Sequence, residues 1–380
     1  MKPTIAAVHP EMQEIASKMP QFPFTARTLW LFRFLIRVLI KPAPMPVDIQ
    51  VKSTFITSQD QKTKIRIRIY QPQATTSKAP ALLWMHGGGY IGGVPEQDDA
   101  YVLPFIQETG VVVVSVDYRL APDYSFPTPL EDCYSALKWL AADAGALGID
   151  PQRIALGGNS AGAGLAAALA QLAHDRGEIR PIFQLLVYPM LDDHTATRKD
   201  IDPEAYYVWN NNYNRFGWES YLKQPCGMDK VPAGSVPARR ADLSGLAPAW
   251  IGVGTIDLFH DEDVAYARRL KEAGVQCELV TVTGAFHGFD ISAPNTQVVK
   301  DFRKSQVQAL KNALKVGFTE VPVPARDDSL GSFSNLRHHR NQRKSAIVPV
   351  LVEPRASTLE LTYNVYHPLK YDFQLIRSKG

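Results

Sequence analysis

The chain has 380 residues and a formal net charge of +3, with 45% hydrophobic and 21% charged residues. These proportions are typical of a globular protein and exclude a disordered one, and so small a net charge argues against nucleic acid as the main partner. The length accommodates two average domains or one large α/β domain with additions. Three widely spaced cysteines provide neither a disulfide framework nor a zinc site, so we expect a cytoplasmic protein.

Residues 1–46 are predicted to be a helical N-terminal segment and a linker. Within them, residues 24–40 form an amphipathic helix whose Arg27, Arg33 and Arg37 emerge from a broad apolar face. The segment has no apolar run of about 18 uncharged residues, so no membrane-spanning helix is predicted. The apolar face can cover an active site or lie on a membrane surface. We favour the first, because the basic residues are few and the chain continues directly into a folded domain.

Residues 47–317 are predicted to form an α/β domain that starts with a hairpin of residues 47–57 and 64–70. In the second run Ile65, Ile67 and Ile69 share one face, which indicates a half-exposed antiparallel strand at the edge of a sheet.

From residue 80 onward, short apolar runs alternate with helical stretches, which predicts a mostly parallel sheet covered on both faces. The runs are residues 81–85, 111–116, 154–156, 183–187, 250–253 and 277–282, and the helices are residues 129–142, 161–175, 261–273 and 297–314. With the hairpin, the sheet has eight strands.

Two segments interrupt or follow this alternation. Residues 191–246, rich in Tyr, Trp and Asn, lie between two predicted strands and are interpreted as a cap insertion. Their aromatic side chains can line a substrate pocket or only pack the cap onto the main domain. Residues 318–380 are basic and polar before they turn strand-like, and we expect a flexible C-terminal extension.

A nucleophile elbow is predicted at Ser160, which lies in the sequence Gly-Asn-Ser-Ala-Gly between an apolar run and an alanine-rich run. Strand, tight turn and helix in this order direct a serine hydroxyl out of the sheet, and the flanking glycines let neighbouring backbone come close. The helix that starts at the turn presents its N-terminal N–H groups to negative charge.

A serine nucleophile needs a base, and the base needs an acid that fixes its tautomer. Asp257 and His287 each follow a predicted strand, and the order Ser160, Asp257, His287 is that of α/β hydrolases. Asp261 is a rival acid near the start of the next helix, and Asp257 can alternatively cap that helix.

The sequence His86-Gly87-Gly88-Gly89 ends another predicted strand and exposes backbone N–H groups. We expect the N–H groups of Gly88, Gly89 and Ala161 to form an oxyanion hole. No lysine follows the glycines as in a phosphate-binding loop. No His, Cys or carboxylate stands at metal-ligand spacing from His86, so no metal site is predicted. We expect His86 to orient the loop instead.

These motifs together resemble the hormone-sensitive-lipase-like family of α/β-hydrolase carboxylesterases. The matching stretches are HGGGY at 86–90, VDYRLAP at 116–122, FPTPLED at 126–132, GGNSAGAG at 157–164, YPMLD at 188–192, DLSGLAP at 242–248, GTIDLFHDE at 254–262 and GAFHGF at 284–289. The resemblance implies a cofactor-free hydrolase of short- to medium-chain esters with a helical cap built partly from the N-terminus. It also implies that Asp117 and Arg119 brace the loops.

The chain departs from this family at two positions. Asn159 stands where an acidic residue is usual, which is expected to alter local charge and the pH profile but not to remove activity. Leu258 stands where proline commonly follows the acid, so a looser turn is expected there.

Other functions remain open at this stage. A non-catalytic small-molecule receptor can share the fold, although the presence of His287 argues against it. An amide or carbamate hydrolase would use the same residues. Substrate-binding residues are not identified, and a homodimer is one arrangement that the sequence leaves open.

Overall fold

Eight strands form one sheet in the computed structural model, which describes residues 4–19, 26–73 and 78–315. The strands are β1 Ile49–Thr57, β2 Lys64–Pro72, β3 Ala79–Met85, β4 Val112–Asp117, β5 Ile149–Asn159, β6 Phe183–Val187, β7 Ala249–Gly254 and β8 Cys277–Val282. Their order across the sheet is β1-β2-β4-β3-β5-β6-β7-β8. Strand β2 runs antiparallel to both of its neighbours, and all other pairs are parallel. The predicted mostly parallel sheet is therefore confirmed.

Helices connect the strands and cover both faces of the sheet. The α-helices of the described residues are α1 Gln13–Ser17, α2 Leu29–Leu39, α3 Asp99–Thr109, α4 Thr128–Ala142, α5 Ala144–Leu147, α6 Ala161–Arg176, α7 Asn211–Leu222, α8 His260–Glu272, α9 Phe289–Ser292 and α10 Gln297–Lys315. Short 3₁₀ turns lie at Ile5–Ala7, Pro10–Met12, Pro95–Asp98, Asp193–Thr197 and Pro237–Arg239.

The four helices predicted from periodicity all exist, and the longer helices α3 and α7 and the short helices α1, α5 and α9 are additional. The N-terminal helix is shorter than expected, because its first helical residue is Leu29 and residues 26–28 form a turn. None of the helices described here has the length and apolar character needed to cross a bilayer. The predicted C-terminal extension, residues 318–380, lies outside the described residues.

The prediction for β2 is wrong in one respect. This strand is second from the edge of the sheet, because β1 lies outside it. Ile65, Ile67 and Ile69 are buried as expected, but the opposite face is not left to solvent. There Arg66 and Arg68 form ion pairs with carboxylates, which makes burial of the charged side chains tolerable.

Alternation along the central strands divides the core into two layers. In β3, Leu83 and Met85 belong to one hydrophobic cluster, while Leu82 and Trp84 belong to the other. The first cluster includes buried side chains of α4, α6 and α8, and the second includes those of α3 and α10. Successive strand residues point to opposite faces, so a strand covered on both sides must be apolar throughout.

The end of β3 and the start of α6 come into very close backbone contact. A Cβ atom on Gly162 would lie 2.1 Å from the carbonyl oxygen of Met85 and 2.4 Å from that of His86. A Cβ on Gly158 would lie 2.6 Å from the Met85 oxygen. The two glycines therefore bring the loop after β3 directly against the turn that carries Ser160.

We expect Gly162→Ala to lower the free energy of unfolding by roughly 1–3 kcal/mol, because a methyl group has no space between the two carbonyls. Thermal or denaturant unfolding measures this change. Gly145→Ala in α5 is the matched control, because nothing lies within 4 Å of its Cβ position. Alanine at that helical position should leave stability unchanged or slightly raised. Equal stability of the two variants would contradict the close contact.

Candidate active site

Three polar side chains separated along the chain meet at the carboxyl edge of the sheet. Ser160 lies between β5 and α6, Asp257 follows β7, and His287 follows β8. Strands β5, β7 and β8 lie in one half of the sheet, where β6 separates β5 from β7 and β8 is next to β7. The carboxyl ends of neighbouring parallel strands are where α/β folds place ligands.

The three side chains form a continuous hydrogen-bonded path. His287 Nε2 lies 2.9 Å from Ser160 Oγ, and His287 Nδ1 lies 2.9 Å from Asp257 Oδ2 and 3.2 Å from Asp257 Oδ1. With Nδ1 protonated and donating to the carboxylate, Nε2 is the acceptor that faces the serine hydroxyl. The arrangement can therefore take a proton from Ser160.

Neighbouring groups fix the acid and the base in these positions. The N–H of Phe259 donates to Asp257 Oδ1 at 2.9 Å, which orients the carboxylate. The ring of Phe259 meets that of His287 edge-on at 5.0 Å between centroids, and the ring of Tyr188 does so at 4.8 Å. The imidazole is thus held by contacts with two aromatic rings as well as by its hydrogen bonds.

Ser160 occupies an unusual backbone conformation, with φ +54° and ψ −123°. Positive φ is costly for a residue with a side chain and is a feature of functional turns. Its N–H donates to the carbonyl of Val187 at the end of β6, and its carbonyl accepts from Met190 N–H. These bonds anchor the turn to the neighbouring strand and help to hold the strained residue in place.

The glycine loop after β3 lies beside Ser160. A Cβ on Gly87 would be 3.4 Å from the Cβ of Ser160, and Gly88 and Gly89 have φ of +126° and +60°. Only glycine adopts such angles readily. Ala161 is the first residue of α6, where the first N–H groups have no partner within the helix. The predicted oxyanion donors are therefore close to the serine, and their role stays a prediction.

His86 is buried, and its Nδ1 lies 2.8 Å from the carbonyl of Gly87 while its ring stacks on Tyr118 at 4.4 Å. Burial lowers the pKa of His86, which favours the neutral ring. These contacts fit the expected loop-orienting role. Asp117 accepts from Arg66, and Arg119 pairs with Asp132, as expected for residues that brace the loops.

The rival acid Asp261 is not part of the path. Its carboxylate is largely exposed and binds Arg198 and the ring of His260. Of the two candidates, Asp257 is the one at hydrogen-bonding distance from His287.

A buried carboxyl group behind the serine was not found by sequence reasoning. Asp98 accepts a hydrogen bond from Asn159 Nδ2 at 3.1 Å and one from Trp84 Nε1 at 2.8 Å. Burial raises the pKa of Asp98 to about 7, although these two hydrogen bonds oppose the shift. Asn159, the residue that departs from the usual acidic type, therefore supplies a neutral partner to a carboxyl that already lies below the elbow.

A cover lies over the site. Ser160, Asp257 and His287 are only 7%, 4% and 5% exposed, so this edge of the sheet is not an open surface at the three residues. In the segment between β6 and β7, the Trp209 ring lies where a Gly89 side chain would point, with Cη2 2.1 Å from the position of a Cβ. The neighbouring Tyr207 packs against Phe286.

A second part of the cover comes from the N-terminal helix. Phe32 and Ile36 of α2 lie against Gly92, with Phe32 Cε1 2.7 Å from the position of a Cβ. The helix therefore packs on the loop that begins with the predicted oxyanion donors.

One group of side chains away from the path has the composition of a metal site. Asp192, Asp193 and His194 place ligand atoms within 4.8 Å of one another. Both oxygens of Asp193 already accept hydrogen bonds from Arg239, and one also accepts from Gly227 N–H. The ion pair of Asp193 with Arg239, which anchors the loop after β6, accounts for this arrangement.

Comparison with known proteins agrees with this geometry. A family model described as the alpha/beta hydrolase fold matches residues 82–291. The carboxylesterase NlhH of Mycobacterium tuberculosis is 31% identical over 317 residues, which cover 82% of this chain and 99% of that protein. An ethyl acetate hydrolase of Pseudomonas putida is 35% identical over 240 residues, covering 62% of this chain and 74% of that protein.

Solved structures include similar folds. A bacterial heroin esterase superposes with a TM-score of 0.76 at 32% identity, covering 82% of this chain and 99% of its own. Esterase LipW from Mycobacterium marinum gives a TM-score of 0.72 at 31% identity, with 82% and 98% covered.

The raised pKa of Asp98 predicts a pH-dependent stability. Between pH of about 4 and 7 the folded protein retains a proton that the unfolded chain releases, so stability should fall as pH rises through this window and level off above it. The slope should be at most about 1.4 kcal/mol per pH unit for one proton. Unfolding free energies at several pH values should therefore fall more steeply in the natural protein than in Asp98→Asn.

The exposed Asp48→Asn is the control for a general effect of removing an aspartate, and it should retain the pH dependence of the natural protein. If Asp98→Asn gave the same slope as the natural protein, the carboxyl would not titrate near neutral pH.

Proposed function

This chain belongs to the hormone-sensitive-lipase-like family of α/β-hydrolase carboxylesterases, and on that premise we propose that Ser160, His287 and Asp257 catalyse its ester hydrolysis. The supporting observation is the hydrogen-bonded path from the serine hydroxyl through the imidazole to the carboxylate. The path contains a nucleophile, a base and an orienting acid in the geometry that acyl transfer needs.

In the proposed reaction, His287 Nε2 takes the hydroxyl proton while Ser160 Oγ attacks the carbonyl carbon of the ester. The carbonyl oxygen becomes an oxyanion, stabilised by the N–H groups of Gly88, Gly89 and Ala161. The tetrahedral intermediate collapses as His287 gives its proton to the leaving alcohol, which leaves an acyl group on Ser160. Water then attacks this acyl group, with His287 again as base, and releases the carboxylic acid. No step uses a cofactor.

The substrates that we propose are esters of short- to medium-chain carboxylic acids. Support comes from the cover, because the Trp209 ring lies directly over Gly89 of the glycine loop and limits the space there. We also propose that α2 and the insertion of residues 191–246 together form the cap on a domain of residues 47–317.

A non-catalytic binding protein is less well supported by the geometry. A receptor has no need for a base at hydrogen-bonding distance from a strained serine. An amide or carbamate hydrolase would use the same path, and substrate comparison distinguishes it from an esterase.

A cytoplasmic location also belongs to this proposal. It is supported by Cys133, Cys226 and Cys277, whose thiols are free. A homodimer and the exclusion of nucleic acid stay predictions.

We expect Ser160→Ala to lower kcat for p-nitrophenyl esters by a factor on the order of 10⁴ or more, because the nucleophile is lost. The exposed Ser53→Ala in β1 is the control and should retain full activity. The natural protein is assayed with esters of increasing acyl length and with the matching anilides. Preference for anilides would favour the amide hydrolase, and near-full ester turnover by Ser160→Ala would remove the proposed nucleophile.

The two candidate acids can be separated by a matched pair of variants. Asp257→Asn should lower kcat by about 10⁴-fold, because an amide favours the wrong imidazole tautomer. Asp261→Asn makes the same chemical change at an exposed ion pair and should alter kcat only a few-fold. Steady-state kinetics with one soluble ester measures both, and comparable losses would contradict the assignment of Asp257.

A further inference from the structure

Helix α2 is apolar around most of its circumference, but only one side of it packs on the protein. Leu29 is buried, and Phe32 and Ile36 are partly buried. The other side, which we call the outer face, is exposed and consists of Trp30, Leu31, Phe34, Leu35, Val38 and Leu39. A helix that is apolar all round normally lies in an apolar environment on every side, and a patch of this kind marks an interaction surface.

The inner side fixes the orientation of the helix firmly. Arg33 Nε donates to the carbonyl of Ile91 at 2.7 Å, and its other nitrogens bind Asp123 and the carbonyl of Ala121. With Phe32 and Ile36 against Gly92, these contacts prevent α2 from rotating to bury the outer face. The apolar side chains therefore point away from the domain.

The charged residues of the segment that carries the outer face are all basic. Residues 15–47 contain five basic residues and no Asp or Glu. Of these, Arg27, Arg37 and Lys41 are exposed: Arg37 lies in α2, Arg27 lies two residues before its first residue, and Lys41 lies two residues after its last. Residues three apart are neighbours on a helix surface, so Arg37 lies beside Phe34 of the outer face. Arg27 and Lys41 add positive charge at the two ends of the helix.

We propose that the outer face of α2 docks on an anionic lipid bilayer, with the helix axis in the plane of the interface. An apolar face bordered by basic residues, with aromatic and leucine side chains, is the pattern of helices that lie at this interface. A second copy of the chain fits this face less well. If the outer faces of two copies paired, their basic residues would come together, and residues 15–47 contain no carboxylate to neutralise them. The Phe32 and Ile36 contacts with Gly92 would place the covered active site close to the bilayer.

The test uses the full chain and vesicle flotation. Neutral phosphatidylcholine vesicles are compared with vesicles containing about a third phosphatidylglycerol, at about 0.1 M salt. Three basic groups near an anionic surface should strengthen binding by about a hundredfold over neutral vesicles. Raising the salt concentration should reduce this preference, because the charges are screened.

Two double variants separate the apolar and charged contributions. Trp30→Ser with Phe34→Ser should reduce binding to anionic vesicles about tenfold or more, because two side chains that are 69% and 57% exposed no longer insert. Arg37→Gln with Lys41→Gln should remove most of the preference for anionic lipid. The controls are Phe55→Ser, which removes a 64% exposed aromatic residue from β1, and Lys52→Gln with Lys62→Gln. Circular dichroism and thermal unfolding verify that every variant is folded.

Insertion can be observed directly through Trp30. Of the six tryptophans, Trp30 is the strongly exposed one, while Trp84, Trp218 and Trp250 are fully buried. Brominated lipids should therefore quench part of the fluorescence of the natural protein. Trp30→Phe should lose this quenching while it still binds vesicles.

Absence of binding to anionic vesicles at low salt would overturn the proposal, as would equal binding by the natural protein and the Trp30/Phe34 variant. Sedimentation without lipid provides the remaining outcome. A dimer that the Trp30/Phe34 variant abolishes, together with no response to vesicles, would assign the face to a second copy and also overturn the proposal.

Discussion

The carbonyl groups of Met85 and His86 press against the backbone of Gly158 and Gly162, and the arrangement of the site depends on this contact. It joins the end of β3 to the turn between β5 and α6 without any intervening side chain. The glycine loop after β3 and the N-terminus of α6 consequently both lie beside Ser160. Dipoles fixed in this way need little reorganisation when charge develops, which is the basis of electrostatic catalysis by preorganised groups.

Hydrogen bonds between buried polar groups also hold this region in place. Asp98 joins Trp84 to Asn159 beneath the elbow. On the histidine side, Asp290 accepts hydrogen bonds from the hydroxyls of Tyr188 and Tyr101, each at 2.7 Å. Since Tyr188 also contacts the ring of His287, hydrogen-bonded acids in the interior lie behind the proposed path both at Ser160 and at His287. Such groups are costly to bury without partners, so each network tolerates few arrangements.

The central strands were predictable because apolar composition and burial coincide there. Residues 183–187 and 277–282 form β6 and β8 with the predicted bounds. Strand β5 is longer than expected, since it starts with the polar residues that follow Ile149 and is extended by pairing rather than by hydrophobicity. Helix α3 was missed because Pro104 interrupts its pattern, and α7 because its aromatic and Asn residues resemble a loop.

The three residues of the proposed path could also be predicted from local motifs, because strand ends and nearby glycines identify each of them individually. The contact between Asp98 and Asn159 has no comparable signal. Its two members are 61 residues apart and meet only because β3 and β5 are paired as parallel neighbours in the sheet. The same holds for the β2 arginines, whose carboxylate partners come from the segment after the glycine loop and from β4.

Trp209 affects the space at the site but not its reacting groups. Its indole occupies the volume above Gly89, yet it belongs to the segment between β6 and β7 and supplies none of the reacting groups. Exchange of this one side chain would therefore change the space above the glycine loop, while Ser160, Asp257 and His287 would keep their positions.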